Sequence, residues 1–254
     1  MMIMNIKNPQ ISQIPELKNI WQNAFGDSGE FINSFFNTAF CPQRCRCITE
    51  NEKIISVLYW FNCYLNKQKI AYIYAVATVK EQQNKGYSSL LLKNTLNHLK
   101  QNRYAGAVLV PGSESLFDFY EKQGFKTACF ITENEVMPQG QKITINKIDK
   151  NNFTAFRKQF LKSQDVIQED ENLNFLETQV DFYAGENFVM AANITDGVLN
   201  AVEFLGDTNL LPQIVFTLGC KKGYIRTKGN AKPFAMFCPL TKIKSPNYFG
   251  LAFD

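Results

Sequence analysis

Asn84-Lys85-Gly86-Tyr87-Ser88 separates two runs of opposite character. Before it lies Ala71-Tyr72-Ile73-Tyr74-Ala75-Val76-Ala77-Thr78-Val79, apolar almost throughout, which reads as a buried strand. After it comes Leu90-Leu91-Leu92-Lys93-Asn94-Thr95-Leu96, which reads as a helix. A strand that breaks into a short loop and re-enters as a helix aims successive backbone N–H groups at one point. The positive end of the helix dipole points there too, which suits an anionic diphosphate. Gly86, with no Cβ, lets the backbone approach the phosphates closely. Gln83, Lys85 and the hydroxyls of Ser88 and Ser89 offer further donors. The loop lacks the paired Gly and Gly-Lys-Ser/Thr ending of a Walker loop, and it lacks the three Gly of a dinucleotide fingerprint.

A second buried strand is expected in Ala105-Gly106-Ala107-Val108-Leu109-Val110, ended by Pro111-Gly112. Ser113 is then placed to cap a helix that runs through Leu116-Phe117-Asp118-Phe119-Tyr120 and stops at Gly124. Upstream, helices are expected around 14–21 and 30–36, with Gly26-Asp27-Ser28-Gly29 between them. Strands are expected at 45–49, 54–63 and 68–79, joined by polar turns into a meander.

The spacing Gln83-x-x-Gly86-x-Ser88 resembles motif A of the GNAT acetyltransferases, usually Gln/Arg-x-x-Gly-x-Gly/Ala. Leu116-x-x-Phe119-Tyr120-Glu121-Lys122-Gln123-Gly124-Phe125 resembles motif B of that family, in which a Phe/Leu-Tyr pair precedes Gly-Phe. The resemblance covers residues 1–136. It implies an α/β (α+β) GNAT fold, a mixed central sheet flanked by helices, and acetyl-CoA as cosubstrate. Transfer to a primary amine of a small molecule or a protein would follow.

Carried over position by position, the resemblance puts the pantetheine arm along Val76, Ala77 and Thr78. The phosphates would lie on Gln83, Asn84, Lys85, Gly86, Tyr87, Ser88 and Ser89, and Ser113 matches a position on the pantetheine side. The Val76 N–H would polarise the thioester carbonyl, and Tyr120 matches the phenol that acts as general acid near the sulfur. Lys80 stands where the family usually has Pro. The general base stays open among Glu81, Glu30, Asp27 and a water chain. Some two-GNAT enzymes, the enhanced-intracellular-survival acetyltransferases among them, use the C-terminal carboxylate, which here would be that of Asp254; those enzymes also carry a third, sterol-carrier-like domain not seen in this sequence. A non-catalytic acyl-CoA sensor is the alternative from another functional class.

Residues 137–142 read as a linker. Beyond it, 152–164, 173–183 and 210–218 are expected as helices, and 188–192, 198–205, 223–226, 234–238 and 248–253 as strands. The succession suggests a second, degenerate GNAT-like unit in tandem over 143–254; an unrelated α+β domain is the other reading. Glu203-Phe204-Leu205-Gly206-Asp207 falls where a phosphate loop would begin, without the Gly pattern that would hold a second cofactor. Seven Phe (153, 156, 160, 175, 182, 204, 216) exceed what a small unit needs for its own core, so some are expected against the first domain's sheet.

The chain has 254 residues, of which 45% are apolar, enough for a sizeable core. A net charge of +4 with scattered basic residues argues against nucleic acid as a partner. Met1-Met2-Ile3-Met4-Asn5 is no signal peptide, and no apolar run is long enough to span a membrane, so a cytoplasmic protein is expected. Seven Cys, with Cys41, Cys45 and Cys47 in no zinc-ligand spacing and His98 as the lone His, imply neither a metal site nor disulfides.

Overall fold

A computed structural model describes residues 4–253. In chain order the elements are β1 (Met4–Lys7), α1 (Ile14–Phe25), α2 (Gly29–Thr38), β2 (Cys45–Glu50), β3 (Lys53–Leu65), β4 (Gln68–Thr78), α3 (Tyr87–Gln101), β5 (Gly106–Leu109), α4 (Ser115–Glu121) and β6 (Lys126–Val136). There follow β7 (Asn146–Ile148), α5 (Lys150–Phe160), β8 (Ile167–Gln168), α6 (Glu171–Leu176), β9 (Asp181–Gly185), β10 (Phe188–Thr195), β11 (Val198–Gly206), α7 (Leu211–Thr217), β12 (Lys222–Lys228) and β13 (Lys232–Pro239). They form two compact units. Unit 1 takes the chain up to Cys63, Gln68–Lys126 and Met236–Lys244, and unit 2 takes Tyr64–Lys67, Thr127–Ala235 and the chain from Ser245 on.

Unit 1 begins with two helices whose ends are written in the sequence. Pro15 opens α1, whose buried face is Leu17, Ile20 and Trp21, and Gly26 ends it in the left-handed region. Ser28 caps α2 by accepting from the Phe31 N–H at 3.1 Å, and α2 buries Ile32, Phe35 and Phe36. Strand β1, not foreseen in the sequence, pairs antiparallel with β2; its Met-Asn-Ile-Lys alternates apolar and polar, but four residues are too short a run to stand out as a strand. β2 runs antiparallel to β3, with Cys45 opposite Tyr59 and Cys47 opposite Val57, and both thiols are buried. Leu91, Leu92, Leu96 and Leu99 of α3 pack with Trp60, Ile73 and Leu109 of the strands.

The parallel pair β4–β5 has an unforeseen neighbour. Met236–Pro239, the last four residues of β13, lie antiparallel to β5, with Met236 opposite Leu109 and Pro239 opposite Gly106. The Phe237 ring lies so close to Gly106 that a Cβ there would come within 2.3 Å of it. Unit 1 is therefore completed from far along the chain, whereas the expected spans 1–136 and 143–254 are each contiguous. The strand at 234–238 was legible, but nothing in its composition names its partner.

In unit 2 the strands lie in the order β6-β12-β11-β10-β9-β7, with β11 parallel to β12 and the other pairs antiparallel. Leu211, Ile214 and Val215 of α7 pack with Leu199 and Ile225. A second core holds Phe153 of α5 and Leu173 and Leu176 of α6 with Phe182 and Val189. Phe153 and Phe182 stack at 4.2 Å between ring centroids. Phe153, Phe182 and Phe204 thus sit in unit 2's own cores, and Phe216 is exposed.

Two expected elements differ. The helix expected over 173–183 stops at Leu176, and Asp181–Gly185 forms β9, because Phe182-Tyr183 pair across to Met190 and Ala191 of β10. The strand expected at 248–253 is a buried irregular segment: Tyr248 makes one bridge to Asp165, and the Gln168 amide clamps both backbone groups of Leu251. Below it Arg157 holds Glu203 in a two-point ion pair at 2.6 and 2.9 Å, and the Tyr248 hydroxyl donates to Glu203 Oε1 at 3.0 Å. All three side chains are buried.

Candidate active site

The site starts where β4 and β5 part. Only Ile70, Ala71 and Tyr72 pair with Gly106, Ala107 and Val108, while β4 continues through Thr78. The stretch from Ile73 to Thr78 therefore faces a gap on its β5 side, and the expected pantetheine segment Val76-Ala77-Thr78 lies within it. Ala75 stands at φ 46, a left-handed conformation that a non-glycine residue enters only at some cost and that re-aims the strand just before Val76. Val76 is half-buried, and Ala77 and Thr78 are buried.

The gap leads to the loop. Gln83, Asn84, Lys85 and Gly86 are exposed, while Tyr87, Ser88 and Ser89 are half-buried. Gly86 is the N-cap of α3 at φ 83 and supplies no side-chain cap. The first-turn amides of Tyr87, Ser88 and Ser89 have no acceptor within the helix and stay open to a ligand. A Cβ built on Gly86 would meet nothing within 4 Å. The positive φ, and not protein packing, thus accounts for glycine at this position.

Side chains brace this loop. Thr78 Oγ1 lies 2.9 Å from Ser88 Oγ and 2.8 Å from Ser56 Oγ. The Gln83 amide donates to the Thr78 carbonyl at 3.1 Å, and Lys85 Nζ donates to Gln82 Oε1 at 3.0 Å. Gln83 and Ser88, expected as phosphate donors, are tied back to the end of the strand. Gln123 donates to Ser89 Oγ at 3.2 Å, which links the loop's helix to the residues after α4. Ser56 and Gln123 were missed in the sequence. Ser56, wholly buried in the apolar run Ile54-Ile55-Ser56-Val57, carried a signal as the one polar residue there.

Tyr120 lies on α4 with 8% exposure, in the same apolar cluster as Val76, Tyr87, Leu116 and Phe119. Its ring meets Phe119 and Phe125 edge-on, and burial pushes its phenol up to about 12. Ser113 is not the N-cap. Glu114 takes that place in a helical conformation, and the Ser113 hydroxyl lies 3.0 Å from that of Ser115 instead of on a backbone N–H.

Among the candidate bases, Glu81 and Glu30 are exposed, and Asp27 accepts from the Trp21 indole at 2.7 Å, a structural brace. Asp254 lies outside the described residues, as do Met1, Met2 and Ile3. Trp21, Phe35, Tyr59 and Tyr74 pack together on the α1–α2 side, with Trp21 4.8 Å from Phe35 and 5.3 Å from Tyr59. Burial raises the Cys47 thiol to about 11 and lifts the Cys45 thiol well above its ordinary value. Among the described residues no group of three or more His, Cys, Asp or Glu could hold a metal ion.

Residues 5–128 match the family model of the acetyltransferase (GNAT) domain. This segment, just under half of the chain, is similar to the GNAT acetyltransferase domain. No curated protein matches the chain in sequence. Among solved structures, a conserved protein from Enterococcus faecalis matches with a TM-score of 0.72 at 15% identity, over 94% of this chain and 73% of that one. A GCN5-related N-acetyltransferase from Anabaena variabilis gives the same four values. One from Kribbella flavida matches with a TM-score of 0.70 at 10% identity, over 93% of this chain and 71% of that one. At these identities the likeness shows the fold, a mixed central sheet flanked by helices.

Proposed function

We propose that the chain transfers the acetyl group of acetyl-CoA directly to a primary amine of a small molecule or a protein, within a ternary complex. The observation that carries this reading is the gap between β4 and β5, which runs straight into the open amides of the Gly86 loop. The amide-rich pantetheine arm lies along Val76-Ala77-Thr78 as an added strand would. The diphosphate sits on the Gly86-to-Ser89 amides, where the helix dipole favours it. The Val76 N–H polarises the thioester carbonyl. A neutral amine attacks, a C–N bond forms, the tetrahedral oxyanion collapses, and the C–S bond breaks.

Tyr120 completes the step. A phenol held near 12 is a poor full proton donor to a thiolate whose conjugate acid lies near 8.5, a mismatch of ~5 kcal/mol. Tyr120 therefore works by hydrogen-bonding the sulfur as charge builds, and any proton it gives is replaced from the amine that becomes the amide. An ammonium of pKa about 10 must lose a proton before attack, and a water chain serves as well as any named carboxylate.

The second half fits a degenerate copy. Its β9-β10-β11-α7-β12 succession repeats β2-β3-β4-α3-β5. Asp207, just after β11, accepts from the Asn209 N–H at 3.0 Å, so its carboxylate sits where a phosphate would need an open amide. The seven cysteines are all free thiols, which suits a reducing compartment such as the cytoplasm, and no helix among the described residues is long and apolar enough to cross a membrane. The test is a thiol-release screen with acetyl-CoA against small amines and peptides bearing free amino groups. Amine-dependent release of CoA is expected. Binding of acetyl-CoA with no release for any amine would instead make the chain an acyl-CoA sensor.

A further inference from the structure

We propose that unit 2 holds a second ligand site, separate from the acetyl-CoA cleft, which takes a small organic ammonium ion with an apolar body. The site is a cleft of about 540 Å³, within the range usual for small-molecule sites. It lies at the carboxyl ends of the parallel strands β11 and β12, the end of such a pair where ligands collect. The two strands slip out of register there: Ala201 faces Ile225 and Phe204 faces Thr227, so β11 advances three residues against two. Leu205 and Thr227 are buried in the floor, Phe160 is half-buried at the wall, and Asp207, Thr208 and Lys228 are exposed at the rim.

Charge selects the ligand. Lys228 Nζ lies 2.9 Å from both oxygens of Asp165, a wholly buried carboxylate, so this cation is already balanced. Among the described residues Asp207 has no such partner. Its Oδ1 accepts from the Asn209 N–H and side-chain amide at 3.0 and 2.9 Å, and both donors are neutral. One negative charge is left uncompensated at the mouth of a partly apolar cleft. An ammonium group answers Asp207 and reaches the Thr208 hydroxyl, while its hydrocarbon part lies on Leu205 and the Phe160 ring, whose face also attracts cations. A carboxylate or phosphate would meet Asp207 head-on, and the Asn209 amide that would attract it is occupied.

Because an amine also serves as the proposed acceptor in unit 1, the test must tell the two sites apart. The intact chain is titrated by calorimetry with 2-phenylethylammonium, and with phenylacetate as the anionic counterpart. Asp207→Asn keeps an oxygen to accept from Asn209 while removing the charge; Thr208→Trp fills the cleft. The expected result is binding of the ammonium to the wild-type chain, at least tenfold weakened in both variants, no binding of phenylacetate, and unaltered acetyl-CoA affinity throughout. No detectable binding to the wild-type chain would overturn the proposal. So would equal binding in Asp207→Asn, which would place the amine elsewhere, or phenylacetate binding as tightly as the amine.

Discussion

Gly86 and Tyr120 are the two residues on which the proposed chemistry turns, and it gives them different work. Gly86 shapes the nest, so Gly86→Glu puts a carboxylate where the diphosphate belongs. Acetyl-CoA should raise the melting temperature of the wild-type chain by mass action and leave that of Gly86→Glu unmoved. An equal shift in the variant would place the cofactor elsewhere. Tyr120→Phe keeps the ring and removes the donor, so turnover should fall roughly ten- to a thousandfold with cofactor affinity nearly unchanged. Burial holds this phenol at about 12 against an ordinary value of 10. The folded state keeps the proton longer than the unfolded one, so this contribution to stability is full below pH 10 and is lost as pH rises towards 12. A loss of activity below pH 10 must therefore come from another group, and Tyr120→Phe should leave it in place. The places of both residues in the fold were legible because each sits in a local strand-to-helix pattern. Ser56 and Gln123 were not, since each meets its partner in the site across 22 and 34 residues of chain.

At the level of elements, the strand–loop–helix at 68–101 was readable from apolar runs and one glycine, because its geometry is set by neighbours in sequence. The partner of β13 was not. Pairing across more than a hundred residues is decided by the whole fold, and for the same reason 248–253 could not show that its apolar residues are held by Gln168 and not by a ladder. A chain ending at Glu135 keeps every residue proposed to hold the cofactor yet loses Met236–Pro239, which leaves the edge of β5 bare and uncovers the core that Met236 helps to close. Such a chain should be poorly soluble or inactive in the thiol-release assay; full activity would mean that β5 needs no outer partner. In unit 2, Arg157→Met strands the buried Glu203 carboxylate and should cost ~3–5 kcal/mol, read as a lowered denaturant midpoint. A midpoint within error of wild type would show that Tyr248 alone satisfies Glu203.

At the scale of the molecule, two units repeat one succession of strands and helices, but only one ends its parallel strand in an uncapped glycine loop. In unit 1 the loop after β4 leaves its helical amides open; in unit 2 the loop after β11 closes its own amide with Asp207. On the proposed reading that difference divides the labour, with acetyl-CoA on unit 1 and none on unit 2. Calorimetric titration of the intact chain with acetyl-CoA measures it directly. One cofactor should bind per chain, and none should bind to Gly86→Glu. Two cofactors per chain, or one still bound to the Gly86→Glu chain, would contradict the assignment of the cofactor to the Gly86 loop.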